Sequence, residues 1–143
     1  MSGAIGFVGL GIMGEGMAAR LISEGIAGTS DDKPLFVWNR TGSKCHALKE
    51  KFPQAHIHVK ESAKQVVEAC GITYSMLSTP EASKAVFYDE ESGVLAGVSS
   101  GKSIVDCATL AESDMQQMNA AVKEKGGYVC TLVTFSTRIT LPN

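Results

Sequence analysis

The chain has 143 residues, of which 44% are hydrophobic and 20% charged, and this length suits one globular domain that buries about two-thirds of its unfolded surface. Its formal net charge of −2 at pH 7 predicts no basic surface of the kind that binds nucleic acid or an anionic membrane. No apolar stretch is long enough to span a bilayer and no signal-peptide pattern precedes the first apolar segment, so we expect a cytoplasmic protein that binds neither nucleic acid nor membrane.

The first apolar segment predicts a strand, a tight turn and a helix in immediate succession. Residues 5–8 predict a buried strand that ends at Gly9. Apolar residues then recur at helical spacing over 17–22, and Gly25 is the expected helix stop. This context matters because the turn carries the spacing G-x-G-x-x-G.

The three glycines of that turn are Gly9, Gly11 and Gly14. Between a strand and a helix, the first glycine allows the turn, the second lets a pyrophosphate approach the backbone, and the third lets helix and strand pack closely. The N–H groups at the start of the helix would then face an anion. The segment therefore predicts a dinucleotide-binding turn, with a glycine-rich turn that binds nothing as the alternative. The absence of G-K-[ST] after the glycines excludes a P-loop.

Strand-like and helix-like segments alternate through the rest of the chain. Further strands are predicted at 34–39, 56–59, 72–77, 103–107 and 128–133, and further helices at 43–52, 62–70, 81–88 and 112–125. Ser62 is the expected N-cap of the helix at 62–70, and the segment 25–34 is expected to form an enlarged loop. This alternation is typical of α/β proteins with a doubly wound parallel sheet.

The cysteines and histidines predict no metal site. The four cysteines are scattered without a C-x-x-C pair, and the histidines add no zinc-ligand spacing, so we expect reduced and mostly buried thiols. His56 and His58 flank Ile57 and are expected on one solvated face of a short strand.

The end of the second predicted strand indicates which dinucleotide is bound. Enzymes that use NAD usually have an acid there for the ribose hydroxyls, whereas this chain has Asn39, Arg40 and Thr41. A guanidinium can bind a 2′-phosphate that a carboxylate would repel. These residues predict NADP(H) as the cofactor and argue against a methyltransferase; an exposed arginine at a strand end is the alternative.

Two segments carry a family resemblance. "GFVGLGIMGEGMAARL" and "VWNRTGSKC" resemble the N-terminal domain of the β-hydroxyacid dehydrogenases, which include 3-hydroxyisobutyrate dehydrogenase and the 6-phosphogluconate dehydrogenases. "WNRT" followed by "SKC" is most similar to the NADPH-dependent glyoxylate and succinic semialdehyde reductase branch. The resemblance extends through 74–95 and 105–110 to about Val129. It implies a Rossmann fold with strand order 3-2-1-4-5-6.

The resemblance also implies roles for individual residues, all of them in cofactor binding. The residues expected to cradle the pyrophosphate are Gly9, Leu10, Gly11, Ile12, Met13 and Gly14. Those expected to hold the adenosine ribose and its phosphate are Asn39, Arg40 and Thr41. Those expected near the nicotinamide and its ribose are Leu77, Ser78 and Thr109.

The chain departs from the family pattern in its substrate-binding segments. Ala108 replaces the family serine that helps to bind substrate. Leu132, Thr134 and Phe135 stand where the family's proline, serine and glycine are expected. Phe135 fits poorly in a turn that relies on glycine for its backbone freedom. The substrate pocket is therefore expected to be incomplete.

The resemblance places the catalytic lysine in a helical second domain, and no lysine of this chain falls in a matching motif. We therefore expect an NADP-binding Rossmann domain at 1–133, a divergent and poorly packed tail at 134–143, and no catalytic residue. One interpretation is the cofactor-binding part of a reductase of small aldehydes or oxo acids such as glyoxylate or succinic semialdehyde. A second domain would complete this reductase, and a homodimer is its candidate assembly. The other is a catalytically silent dinucleotide-binding module that acts as a sensor or an interaction domain.

Overall fold

The computed structural model describes residues 3–108 and 110–131, which form six strands and six helices. The strands are β1 Ile5–Val8, β2 Leu35–Trp38, β3 Ile57–Val59, β4 Ile72–Ser75, β5 Ser103–Asp106 and β6 Tyr128–Thr131. The helices are α1 Ile12–Ser23, α2 Gly42–Lys51, α3 Ala63–Ala69, α4 Pro80–Tyr88, α5 Val94–Gly97 and α6 Glu112–Glu124. The predictions for Thr109 and for residues 132–143 lie outside the described residues.

The six strands form one parallel sheet in the order β3-β2-β1-β4-β5-β6, which confirms the predicted fold and strand order. The direction of winding reverses between β1 and β4, and crevices at such a switch point bind ligands in open α/β sheets. Val8 is in register with Trp38 on one side and Ser75 on the other. The loops that follow β1, β2 and β4 therefore start at the same level of the sheet.

Side chains on the two faces of the sheet build two separate cores, because successive strand residues point to opposite faces. Phe7 belongs to the core under α1 and α2, whose members include Ala18 and Leu48. Val8, the next residue, belongs to the core of the opposite face, whose members include Val66 and Met118. The apolar residues of each strand thus fix the sheet between two layers of helices.

Local signals at the helix ends agree with the sequence analysis. The hydroxyl of Ser62 accepts the N–H of Gln65 at 3.2 Å, which confirms the predicted N-cap of α3. Gly25, with a φ of +71°, follows the end of α1, and its N–H donates to the carbonyl of Ile22. A left-handed glycine just after a helix is a common stop signal.

Most predicted elements differ from the observed ones by one or two residues at their ends, as in β4, which was predicted at 72–77 and ends at Ser75; two differences are larger. Helix α1 begins at Ile12, so Gly14 lies inside its first turn rather than before it. Helix α5 was not predicted, because its four residues are too few to show a helical period.

The described cysteines are free thiols, and three of them are buried: Cys45, Cys70 and Cys107, whereas Cys130 is exposed. Burial raises the pKa of Cys70 to about 12 and that of Cys107 to about 11. These two thiols are therefore protonated at neutral pH and unreactive.

His58 in β3 and His56 just before it do not belong to a group of metal ligands in the described part of the chain. His56 pairs through Nδ1 with Asp31 at 2.9 Å, and the ring of His58 stacks on Phe36. Over residues 3–108 and 110–131, no group of three or more potential ligands could hold a metal ion. In the same ranges no helix is both long and apolar enough to cross a bilayer.

Candidate functional site

A cleft of about 520 Å³ opens at the carboxyl edge of the sheet, where the loops after β1, β2 and β4 meet. The loop after β1 and the start of α1 line it with Gly9, Gly11, Ile12, Met13 and Gly14. The loop after β2 adds Asn39, Arg40 and Thr41, and the segment after β4 adds Met76, Leu77, Ser78, Ala82 and Val86. The structure thus brings together all the predicted site residues except Leu10, which lies beneath the cleft, and Thr109, which is outside the described residues.

Three lining residues were not predicted. Met76 follows the last residue of β4, and Ala82 and Val86 lie one turn apart on α4. Spacing of i and i+4 places the latter two on one helix face. That spacing is visible in the sequence, but it does not tell which face of the helix meets the cleft.

Two of the three glycines are required by the packing of the turn itself. Gly9 has a φ of +97°, and a Cβ atom there would overlap the carbonyl of Met76. A Cβ atom on Gly14 would overlap the carbonyl of Gly9, so the helix and the turn pack backbone against backbone. Side chains at either position would displace the turn.

Gly11 is different, because nothing in the packing calls for glycine there. Its backbone is extended, with φ −66° and ψ −172°, which any residue adopts. A Cβ atom on Gly11 would meet no atom within 4 Å among the described residues. The space in front of Gly11 is the cleft, so an occupant of the cleft can lie directly against its backbone.

The start of α1 presents backbone donors to this space. The first turn of an α-helix has N–H groups without intrahelical acceptors, and Gly11, as the N-cap, has no side chain to accept from them. The positive end of the helix dipole adds to their attraction for an anion. Glu15, the acid of the first turn, pairs with Lys51 at 3.7 Å. Ile12 and Met13 are 92% and 60% exposed and form an apolar rim.

Asn39 bridges two of the loops. Its Oδ1 accepts the N–H of Leu10 at 2.8 Å, and its Nδ2 donates to the carbonyl of Thr41 at 3.1 Å. The side chain of Leu10 is 1% exposed and belongs to the core under α1 and α2. Leu10 therefore supports the turn from below, and its N–H already has an acceptor.

Arg40 and Thr41 form the edge of the cleft at the start of α2. Arg40 is exposed, and among residues 3–108 and 110–131 no carboxylate lies within ion-pair distance of it. Thr41 is the N-cap of α2, but its hydroxyl makes no capping hydrogen bond, and the first turn of α2 has no acid. This edge thus offers an unpaired cation and free donors, a combination suited to a phosphate.

A buried carboxylate shapes the loop after β5. Asp106 is 2% exposed; it accepts the N–H of Ala108 at 3.0 Å and the hydroxyl of Ser75 at 3.4 Å. Burial raises the pKa of this carboxyl, an effect larger than the opposite effect of the two hydrogen bonds. Asp106 therefore fixes the backbone at the position where the resemblance expects a serine.

Comparison with known proteins is consistent with this geometry. The family model described as the NAD binding domain of 6-phosphogluconate dehydrogenase matches residues 4–131. The chain is 38% identical over 123 residues to glyoxylate/succinic semialdehyde reductase 1 of Arabidopsis thaliana, covering 86% of this chain and 38% of that protein. It is 34% identical over 123 residues to the human cytokine-like nuclear factor N-PAC, covering 86% of this chain and 20% of that protein.

Among solved structures, the fold resembles that of Psf3 in complex with NADP+ and 2-OPP. The TM-score is 0.75 at 23% identity, and the alignment covers 87% of this chain and 40% of Psf3. The chain thus spans 38% or less of the length of the two curated relatives named above.

Proposed function

Because the chain belongs to the family of the NAD binding domain of 6-phosphogluconate dehydrogenase, we propose that its cleft binds NADP(H) in preference to NAD(H) as the cofactor-binding part of a reductase. The substrate class that we propose is a small aldehyde or oxo acid such as glyoxylate or succinic semialdehyde. A bound nicotinamide would exchange a hydride with such a substrate, and the protein would supply orientation and a proton.

The observation that carries the proposal is the open space over Gly11. Nothing within 4 Å would meet a Cβ atom there, so the packing of the described residues does not account for the glycine. Gly16 also has open space around its Cβ position, but of these two glycines Gly11 alone lines the cleft, where an occupant that presses against the backbone accounts for it. A pyrophosphate is such an occupant, because the N–H groups and the dipole of α1 face the same space.

The other end of the cleft supports the choice of NADP(H). Arg40 is exposed at the cleft edge beside Thr41, and no acid is present in the first turn of α2. A 2′-phosphate placed there would gain charge-assisted hydrogen bonds from the guanidinium. The NADP+ bound in the structurally similar Psf3 agrees with this choice but does not decide it, because that likeness concerns the fold.

The proposed substrate class rests on the relatives. The Arabidopsis relative is named for glyoxylate and succinic semialdehyde, and its identity to this chain is 38%. The aligned region covers 38% of that protein, so its remaining length has no counterpart in these 143 residues. We propose that proton donation depends on such a further region.

A cytoplasmic location is part of the same proposal. Three of the described cysteines are buried free thiols, which fits a reducing compartment.

A dinucleotide-binding module without catalysis is the second candidate. It is favoured by Ala108, which leaves the segment after β5 without the hydroxyl that the family resemblance expects for substrate binding. The 34% identity to N-PAC, whose name is that of a nuclear factor and not of an enzyme, points the same way. Both candidates share the cofactor cleft and differ in turnover.

The cofactor proposal is tested by titrating the chain with NADPH and with NADH. Trp38, the single tryptophan, ends β2 immediately before Asn39, so energy transfer from its indole to a reduced nicotinamide reports binding. We expect NADPH to bind more tightly than NADH. Absence of binding by both cofactors would contradict the proposed function, and equal affinities would contradict only the preference for NADP(H).

A further inference from the structure

One side chain joins the two loops to which the proposed function assigns the pyrophosphate and the 2′-phosphate. The amide of Asn39 accepts from Leu10 in the turn after β1 and donates to Thr41 in the loop after β2. These partners are 29 and 2 residues away along the chain. The pairing of β1 with β2, with Val8 beside Trp38, brings the first partner within reach.

We propose that Asn39 is a positioning residue that clamps the glycine turn to the Arg40 loop. The inference rests on the proposed function for what the two loops bind, but the clamp itself exists without a cofactor. At this position, at the end of the second strand, dinucleotide-binding folds usually have an acid that faces the ribose. Here both polar atoms of the side chain are turned toward main-chain groups.

The clamp requires a side chain that both accepts and donates, because the Leu10 N–H is a donor and the Thr41 carbonyl is an acceptor. An amide offers both an acceptor oxygen and a donor nitrogen, whereas an ionised carboxylate only accepts. Leu10 is 1% exposed, so its N–H would have no ready access to water if the Asn39 oxygen were removed. Asn39→Ala therefore removes both hydrogen bonds between the side chain and these loops. Asn39→Asp keeps the acceptor for Leu10 and loses the donor for Thr41.

The clamp acts on the pyrophosphate site through the backbone of the turn. Leu10 lies between Gly9 and Gly11, and its side chain is held in the core while its N–H is held by Asn39. Release of the N–H removes the side-chain bond to Leu10 and leaves the hydrogen bond from the Gly9 N–H to the carbonyl of Trp38 as the link between the turn and the end of β2. The turn then samples orientations in which its donors no longer converge, and affinity for a pyrophosphate falls.

The first measurement is amide hydrogen exchange of Leu10 by NMR in the full 143-residue chain without cofactor. We expect Asn39→Ala to accelerate this exchange about tenfold or more, because a protecting hydrogen bond is removed. We expect Asn39→Asp to keep it slow, because the acceptor is retained. Asp89→Ala is the matched control: Asp89 also accepts backbone N–H groups, from Glu91 and Ser92, but does not line the cleft. Unchanged Leu10 exchange in Asn39→Ala would overturn the clamp.

The second measurement separates positioning from direct binding and from a merely structural role. Inorganic pyrophosphate has no ribose, so a residue that only binds the adenosine ribose leaves its affinity unchanged. We expect Asn39→Ala to weaken both pyrophosphate and NADPH by about tenfold, and Asp89→Ala to weaken neither. Faster Leu10 exchange with unchanged affinities would overturn the positioning role. If the wild-type chain binds pyrophosphate but neither dinucleotide, the proposed function fails, while Leu10 exchange and pyrophosphate affinity still decide the clamp.

Discussion

Gly14 and Gly9 pack backbone to backbone: a Cβ atom added to Gly14 would overlap the carbonyl oxygen of Gly9. Gly16, one half-turn further along α1, is exposed, and a Cβ atom there would meet nothing within 4 Å in the described structure. The two glycines of one helix therefore differ in what they contribute. The first makes the contact between helix and turn possible, and the second only lowers the helix propensity of α1.

This difference predicts opposite effects of the same substitution. Gly14→Ala should lower the free energy of unfolding by roughly 1–3 kcal/mol, because the turn has to move. Gly16→Ala should raise it by about 0.5–1 kcal/mol, because alanine favours a helix interior. Urea unfolding followed by Trp38 fluorescence measures both. Equal destabilisation by the two substitutions would show that the helix–turn contact is not the cause.

Gly11→Ala should separate binding from folding. With open space around its Cβ position, the substitution should change the free energy of unfolding by no more than about 1 kcal/mol, the cost of a less favourable N-cap. The new methyl group would occupy space that we assign to the pyrophosphate, so NADPH and NADH should both bind at least about tenfold more weakly. Titration of the folded variant measures this effect. Undiminished affinity would remove the main support for the proposed cofactor site.

Arg40→Ala should affect one cofactor and not the other. Loss of charged hydrogen bonds to the 2′-phosphate should cost NADPH about 1.5–3 kcal/mol of binding free energy, and NADH should lose little. Arg20→Ala is the control, since Arg20 is an exposed arginine that pairs with Glu24 and does not line the cleft. Equal losses for NADH and NADPH in Arg40→Ala would mean that Arg40 does not recognise the phosphate.

The buried carboxyl of Asp106 should make the free energy of unfolding depend on pH. Burial raises the pKa of this carboxyl, so the folded protein holds its proton more tightly than the unfolded chain does. The contribution of Asp106 to stability therefore falls as pH rises from the ordinary carboxyl pKa to the raised one, and stays constant above it. Asp106→Asn cannot titrate, and its amide oxygen can still accept the N–H of Ala108.

The difference in free energy of unfolding between Asp106→Asn and the wild type isolates this one group from the other carboxyls. We expect the variant to gain stability relative to the wild type as pH rises through that interval. Urea unfolding at a series of acidic to neutral pH values measures the difference. A variant that loses stability relative to the wild type as pH rises would have the wrong sign for a buried, poorly solvated carboxylate.

A polypeptide of these 143 residues should bind NADPH without appreciable reduction of glyoxylate or succinic semialdehyde. General acid catalysis is typically worth 10²–10⁴-fold, and the family resemblance places the donor lysine in a second domain. Loss of NADPH absorbance in the presence of aldehyde measures turnover. The comparison is the same chain joined to the helical domain of a homologue, which should turn over faster. Rapid turnover by the 143 residues alone would require a proton donor among them.

Much of the fold could be predicted because its signals are local. The apolar alternation gave six strands in the correct places, and Ser62 and Gly25 marked helix ends through hydrogen bonds to nearby residues. Helix α5 was missed, because four residues carry no period. The strand order followed from a family resemblance rather than from any local pattern.

The amino-acid sequence by itself predicted the fold class and the glycine turn, and the family resemblance added most of the residues that line the cleft, because spacing along the chain determines the turn and parallel strands end at one edge. The family resemblance assigned Leu10 and Asn39 to cofactor binding, like their neighbours in the chain. Only the tertiary structure separates them, because the parallel pairing of β1 and β2 brings the N–H of residue 10 within 2.8 Å of the side chain of residue 39. In the same way, Gly14 packs against a carbonyl while Gly11 faces open space. The atoms around a Cβ position depend on which segment of the backbone packs against it. The spacing of residues along the chain does not predict that segment.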